Sequence, residues 1–319
     1  MNMIECRPSD APCVFLLGCD RSGTTLVRSI LNNHPDVMIS YEAPASVTLV
    51  ETFQQYGMRA TIEAMRSFEQ FDAVDWLHVF DRLDEVSDVT LADVVAAANN
   101  NLLQQNGKHI WGDKTPAYTR FVDTLASMYP NSVFVHIVRD PRAVAASWVQ
   151  TDWGPNTAFH AGREWQQRVS EADRSLKQLP ESRVAVIRFE DFLVDPEKTI
   201  QPVCQRIGVP YTSAMLQERD LESDALPTRF FQKLHAKSQE RLDPSRTDRW
   251  RSIDDRKLAL IESQTWELMQ LFGYEPTRKT PPSVTNWDRL SSKVHNRLRQ
   301  VTNQLKQKQS PPVYPLPTH

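Results

Sequence analysis

The stretch CVFLLGCDRSGTTLVRSIL, residues 13–31, decides the architecture. Residues 13–18 form a short β-rich apolar run that stops at a glycine-containing loop, and Thr24 to Leu31 follow as the opening of a helix. The same kind of run returns as SVFVHIV at 132–138 and RVAVIRF at 183–189. Each is near-continuously apolar, as expected of strands buried on both faces of a parallel sheet. Helical stretches lie between them, and residues 44–105 carry helical periodicity with no strong strand. The pattern predicts an α/β fold: a central parallel, doubly wound sheet flanked by helices, with a helical insertion over it. Ligands are expected at the carboxyl ends of the strands.

The loop itself carries chemistry. Gly18 to Thr25 fits the Gly-x4-Gly frame of a phosphate-binding loop, with Thr24 where the lysine of that motif belongs. Such a loop points backbone N–H groups and a helix N-terminus at an anion, while Ser22, Thr24 and Thr25 add hydroxyls around Gly23. The basic group sits inside the loop as Arg21, so the expected ligand is shorter than a triphosphate. Glycine- and threonine-rich loops also open helices for purely structural reasons.

A second anion site is expected in VHIVRDPRAVAASW, residues 135–148. A strand ends at Arg139, Pro141 opens a helix, and Ser147 returns to the same side after two turns. Arginine and serine together suit a phosphate, whereas an arginine merely capped by Asp140 is the structural alternative. Two anion sites point to a bis-phosphorylated nucleotide.

Bulk properties narrow the function classes. The chain has 319 residues, 40% hydrophobic and 24% charged, as in an ordinary globular protein. A net charge of −3 argues against a general nucleic-acid binder, which needs an excess of Lys and Arg. The cysteines Cys6, Cys13, Cys19 and Cys204 show neither a CxxC pair nor metal-ligand spacing, so no metal and no disulfide framework is expected. No charged run followed by an apolar run opens the sequence, which leads us to expect a cytoplasmic protein.

CDRSGTTLVRSILNNHPDV together with HIVRDPRAVAASW resembles the 5′-phosphosulfate and 3′-phosphate motifs of sulfotransferases that use 3′-phosphoadenosine 5′-phosphosulfate (PAPS), in the branch holding the tyrosylprotein and related bacterial enzymes. WGDKTP at 111–116, RFEDFLVDPEKTI at 188–200 and SRTDRW at 245–250 agree with it. The resemblance covers about Cys13 to Pro276 and defines a sulfotransferase domain over 12–276 with a P-loop-like fold. It implies that Arg21, Ser22, Gly23, Thr24 and Thr25 hold the 5′-phosphosulfate, with Arg21 also stabilising the leaving phosphate. Arg139 and Ser147, with Arg249 before Trp250, match contacts to the 3′-phosphate, and Phe189 matches an aromatic near the adenine. Glu42 matches the catalytic glutamate, and Lys114, in what reads as a fixed loop between Gly112 and Pro116, matches a lysine on the sulfuryl group or bridging oxygen.

Rival bases and rival classes stay open at this stage. His34 and His136 are alternatives because cytosolic aryl sulfotransferases use histidine. The tyrosylprotein branch has an arginine just after the glutamate, where this chain has Glu42-Ala43-Pro44. An acidic-peptide acceptor is therefore not expected, and a sugar, lipid or small-molecule hydroxyl fits. A P-loop kinase would need lysine at Thr24, and a non-catalytic PAPS-binding protein would not need Glu42 and Lys114.

Residues 277–319 form a basic, proline-flanked extension: Arg278, Lys279, Arg289, Lys293, Arg297, Arg299, Lys306 and Lys308 stand against Asp288 alone. Trp287, Leu290, Val294, Leu298, Val301 and Leu305 recur at steps of three and four, predicting an amphipathic helix. It is expected to dock by its apolar face on its own domain or a second copy, with contact to a membrane surface as the alternative.

Overall fold

The computed structural model describes residues 7–72, 74–151, 153–217 and 247–307. Five parallel strands form one sheet: β1 (Cys13–Gly18), β2 (Val37–Tyr41), β3 (Ile110–Lys114), β4 (Ser132–Val138) and β5 (Val184–Arg188), in spatial order β2-β3-β1-β4-β5. The chain leaves β1 toward one edge and returns to the other side for β4, so β1 marks the switch point, where open α/β sheets bind ligands.

Side-chain alternation along β1 builds two apolar layers. Val14 and Leu16 face α1 (Thr24–Asn32) and the later helices α9 (Phe189–Val194) and α10 (Pro196–Ile207). On the opposite face Phe15 meets the rings of Trp111, Tyr118, Tyr129 and Phe134 at 5.3–5.9 Å. Each such pair adds about 0.5–1.5 kcal/mol beyond its buried area.

Between β2 and β3 run α2 (Ala45–Thr48), α3 (Val50–Met65), α4 (Trp76–Asp84) and α5 (Leu91–Gln105), the inserted helical segment expected from the sequence. It has its own core of Ile62, Met65, Phe71, Trp76, Val79 and Leu83 beside Val94 of α5. Helices α6 (Val122–Met128), α7 (Pro141–Trp148) and α8 (Ala158–Leu176) follow, and α11 (Asp255–Leu271) packs on α8.

The sequence reading and the fold differ at three places. Lys114 was expected in a loop but is the last residue of β3. The run IWGDK lacks strand character, yet neighbours on both sides supply its ladder, and a Cβ on Gly112 would sit 2.4 Å from the Val14 carbonyl oxygen, so only glycine fits there. Next, β1 and β4 are buried throughout, whereas on β5 Ala185 and Ile187 face the α10 layer and Val186 is half exposed on the other side.

Finally, α12 (Asn286–Gln307) docks the opposite way round from expectation. Asp288 pairs with Arg256, Asn296 and Asn303 bond Asn156, and Arg299 donates to the Val149 carbonyl at 3.2 Å. Trp287, Leu290, Val294, Leu298 and Val301 face outward instead. Well-matched polar partners on α11 and the 149–156 loop hold this face, so the apolar one is left over. The Leu305 side chain, Lys308 and Cys6 lie outside the described residues.

Candidate active site

Every strand delivers a candidate residue at its carboxyl end. The loop follows β1, Glu42 follows β2, Lys114 closes β3, Arg139 follows β4 and Phe189 follows β5. Because all five strands run parallel, these positions share one edge of the sheet.

In the loop, Gly23 adopts the left-handed conformation (φ 90°) and caps α1, so the chain turns sharply enough to aim the α1 N-terminus inward. The Ser22 hydroxyl is buried without a hydrogen-bond partner among the described residues. A buried hydroxyl left so is costly unless a ligand completes it. Asp20 ion-pairs with Arg168 of α8 at 2.7 Å, which takes up the one acidic charge of the loop.

Arg21 joins the two anion motifs. Its Nε donates to Ser147 Oγ at 3.0 Å, and Arg139 Nη1 donates to the Arg21 carbonyl at 3.0 Å. Burial draws both guanidiniums below the usual arginine range, opposed by Asp20 at Arg21 and chiefly by Glu190 at Arg139. Two partly desolvated cations side by side favour an anion between them. Asp140 does not cap Arg139: it takes Arg142, at 2.7 Å, and that guanidinium stacks on Trp250 at 3.6 Å.

Phe189 lies beneath this pair. Its ring is 3% exposed, Arg139 sits 4.7 Å above its centre, and a Cβ on Gly23 would fall 2.1 Å from its edge. The structure therefore shows Phe189 as the floor of the loop rather than as an open stacking face for adenine. Arg249 opens a short 3-10 helix, Arg249–Ser252, and its side chain lies outside the described residues.

On the other flank, Lys114 Nζ donates to Glu42 Oε1 at 2.6 Å, and Glu42 N donates to the Lys114 carbonyl at 2.9 Å. The Lys114 side chain is fully buried, with its ammonium 3.6 Å from the centre of the Tyr41 ring, whereas Glu42 keeps about a third of its side chain exposed at 35%. Burial pushes Lys114 below its ordinary value, and the Glu42 charge opposes that. The Tyr41 hydroxyl lies beside Thr25 and Glu42 and its ring beside the Lys114 ammonium, so the loop, the carboxylate and the ammonium are one connected set.

Glu42 is held in the left-handed region (φ 49°), as is Arg21 (φ 69°). Non-glycine residues rarely stay there unless their surroundings impose it. For Glu42 the imposing groups are visible. Arg28 of α1 donates to the Ile39 and Ser40 carbonyls at 2.7 and 3.3 Å, fixing the end of β2. Asp113 accepts from Ala43 N at 3.1 Å, from Thr115 Oγ1 at 3.2 Å and from the Tyr118 hydroxyl. Burial raises the Asp113 carboxyl to about 6. No local sequence signal marks Tyr41, Arg28 or Asp113 as supporting residues, although Arg28 lies within 13–31, Asp113 within 111–116 and Tyr41 next to Glu42.

The histidines stand apart from this set. His34 precedes β2, at the opposite end of the sheet, with Nδ1 accepting from Asp36 N at 3.1 Å and Nε2 facing the Pro210 carbonyl at 2.9 Å. His136 is enclosed in the middle of β4, where burial lowers it to about 4 and keeps it neutral.

Comparison with known proteins follows the same lines. The Sulfotransferase family model matches residues 12–213. Nodulation protein NoeE of Sinorhizobium fredii is 39% identical over 140 residues, 44% of this chain and 31% of that protein. A putative protein-tyrosine sulfotransferase of Caenorhabditis briggsae is 28% identical over 218 residues, 65% of this chain and 69% of that one. Protein-tyrosine sulfotransferase 2 of Gallus gallus is 24% identical over 227 residues, 69% of this chain and 57% of its own length. The chain thus spans about a third of NoeE and rather more than half of the Gallus gallus protein.

Among solved structures, the sulfotransferase domain of the Synechococcus PCC 7002 olefin synthase superposes with a TM-score of 0.60 at 24% identity, covering 83% of this chain and 95% of that domain. The sulfotransferase domain of the curacin biosynthetic pathway gives 0.61 at 19% identity, covering 83% and 98%. Both share the fold, a central parallel sheet flanked by helices. With the family match running unbroken from the residue before β1 to beyond α10, the chain belongs to the sulfotransferase family.

Proposed function

We propose that this protein transfers the sulfuryl group of PAPS to an acceptor hydroxyl, with Glu42 as general base. The observation that carries this is the connected set Thr25–Tyr41–Glu42–Lys114, which sets a carboxylate and a buried ammonium beside the phosphate loop. The residues present fit the donor. Ser22 Oγ, buried and without a hydrogen-bond partner among the described residues, and the loop amides would hold the 5′-phosphosulfate, and Arg139 with Ser147 would hold the 3′-phosphate. PAPS supplies an activated sulfuryl group on a phosphate leaving group.

Glu42 takes the acceptor proton as the new S–O bond forms, and the bond from sulfur to the bridging phosphate oxygen breaks in line with it. Lys114 and Arg21 donate to that oxygen as negative charge collects on it. The products are a sulfate ester and the bisphosphate nucleotide PAP. The 2.6 Å contact from Lys114 orients the Glu42 carboxylate, while the third of the glutamate left exposed is what an incoming hydroxyl meets.

NoeE is a nodulation protein by name, and other relatives are protein-tyrosine sulfotransferases by name, whose acceptor is a tyrosine hydroxyl. Ala43 and Pro44, after Glu42, offer no cation to an acidic peptide, which supports a sugar, lipid or small-molecule alcohol. Thr24 in place of lysine speaks against an ATP kinase.

Glu42→Gln tests the assignment, because the amide keeps an oxygen acceptor for Lys114 and removes the basic carboxylate. PAP affinity measured by calorimetry should survive, while turnover on an alcohol falls about 10²–10⁴-fold. Near wild-type turnover would refute Glu42 as the base.

A further inference from the structure

Helix α12 has two sides of opposite character, and the fold uses the unexpected one. Asp288, Ser292, Asn296, Arg299 and Asn303 recur at steps of three and four and are buried or half-buried against the body. Arg299 ties the helix to the Val149 carbonyl at the end of α7, so it belongs to the domain surface. Trp287, Leu290, Val294, Leu298 and Val301 lie on the other side, each more than half exposed, and nothing among the described residues covers them. Exposed apolar stripes of this continuity mark contact surfaces.

Charge selects the partner. Arg289, Lys293 and Arg297, four residues apart and exposed, form one border of the stripe. Asp288, the helix's one acid, is on the docked side, engaged by Arg256 and by the Thr285 hydroxyl at 2.6 Å. Packing two copies stripe to stripe in antiparallel fashion would set each basic border beside its own copy. A parallel pair would set it beside Ser291, His295 and Thr302. Neither arrangement offers the cations an acid.

An anionic bilayer surface satisfies both features at once. Apolar side chains enter the boundary between headgroups and acyl chains, the basic border meets negative headgroups, and a tryptophan suits the interface. Among the described residues no helix is long and apolar enough to cross a membrane, so contact would be along the surface. We propose that α12 is a surface-lying anchor that binds this protein to anionic lipid bilayers.

The test is sedimentation of the full chain with vesicles of phosphatidylcholine alone or of phosphatidylcholine containing phosphatidylserine. Binding is expected on the anionic vesicles, weakened by added salt. It should fall at least about tenfold in Lys293→Glu/Arg297→Glu and be lost in Val294→Asp/Leu298→Asp. Because these side chains are exposed, both variants should melt like the wild type. If the aspartate variant does not, the charge variant alone carries the test. No binding to anionic vesicles, or binding indifferent to both variants, overturns the proposal. So does a concentration-dependent dimer that Val294→Asp/Leu298→Asp abolishes while vesicles are ignored, which would assign the stripe to a second copy.

Discussion

Replacing Gly23 by alanine perturbs the candidate site through geometry alone. At φ 90° an L-residue pays about 1 kcal/mol of left-handed strain. The new Cβ falls 2.1 and 2.4 Å from Phe189 ring carbons, where an unstrained contact needs about 3.5 Å or more. The ring must retreat by over about 1 Å, yet Arg139 lies 4.7 Å above it and Phe192 packs 6.2 Å away. Overpacking of this kind adds about 1–3 kcal/mol, so the total loss should be about 2–4 kcal/mol in urea denaturation. Since displacing the ring moves Arg139 as well as the loop amides, PAP affinity should fall at least about tenfold, or about 1.4 kcal/mol. Phe189→Leu opens space, so Gly23→Ala/Phe189→Leu should be destabilised by at least about 1 kcal/mol less than the sum of the single changes. A Gly23→Ala protein within about 0.5 kcal/mol of wild type and with full PAP affinity would refute the steric account of the loop.

Arg139→Ala should weaken PAP about 10–100-fold by calorimetry, the worth of a charge-assisted contact, and weaken adenosine 5′-phosphosulfate less, since that ligand has no 3′-phosphate. Equal loss for both would mean that Arg139 acts by holding the Arg21 carbonyl. Asp113 is raised from 3.8 to about 6, so the folded state holds its proton more tightly than the unfolded state. Stability from this group is therefore present below about 4 and is lost as pH rises toward 6, by about 3 kcal/mol in all. In Asp113→Asn that component disappears, so urea midpoints of variant and wild type should shift relative to each other across this window and run parallel above it. Parallel curves throughout would show that the carboxyl is not raised.

The elements legible in the sequence were those with dense apolar signals: β1, β4, the opening of α1 and the inserted helices all stand where periodicity put them. IWGDK was not legible as a strand, because its two neighbours and a close approach at Gly112 make it one. Spacing within the second motif paired Arg139 with Ser147, whereas the structure joins the two motifs through Arg21, which donates to Ser147 and accepts from Arg139. The supporting residues could not be read the same way. Tyr41 links Thr25 to Glu42, and Asp113 holds the Ala43 amide, through contacts between strands far apart in sequence. For α12 the apolar face was legible but its direction was not, since polar partners on α11 and at Asn156 decide it.

The central claim is sulfuryl transfer from PAPS, and the direct measurement is transfer of ³⁵S from labelled PAPS to alcohol, sugar and phenol acceptors with a chelator present. The account predicts a labelled sulfate ester and one equivalent of PAP without any divalent metal, sharply reduced in Glu42→Gln. No labelled ester with any acceptor class, alongside phosphate transfer from ATP and Mg²⁺, would contradict it.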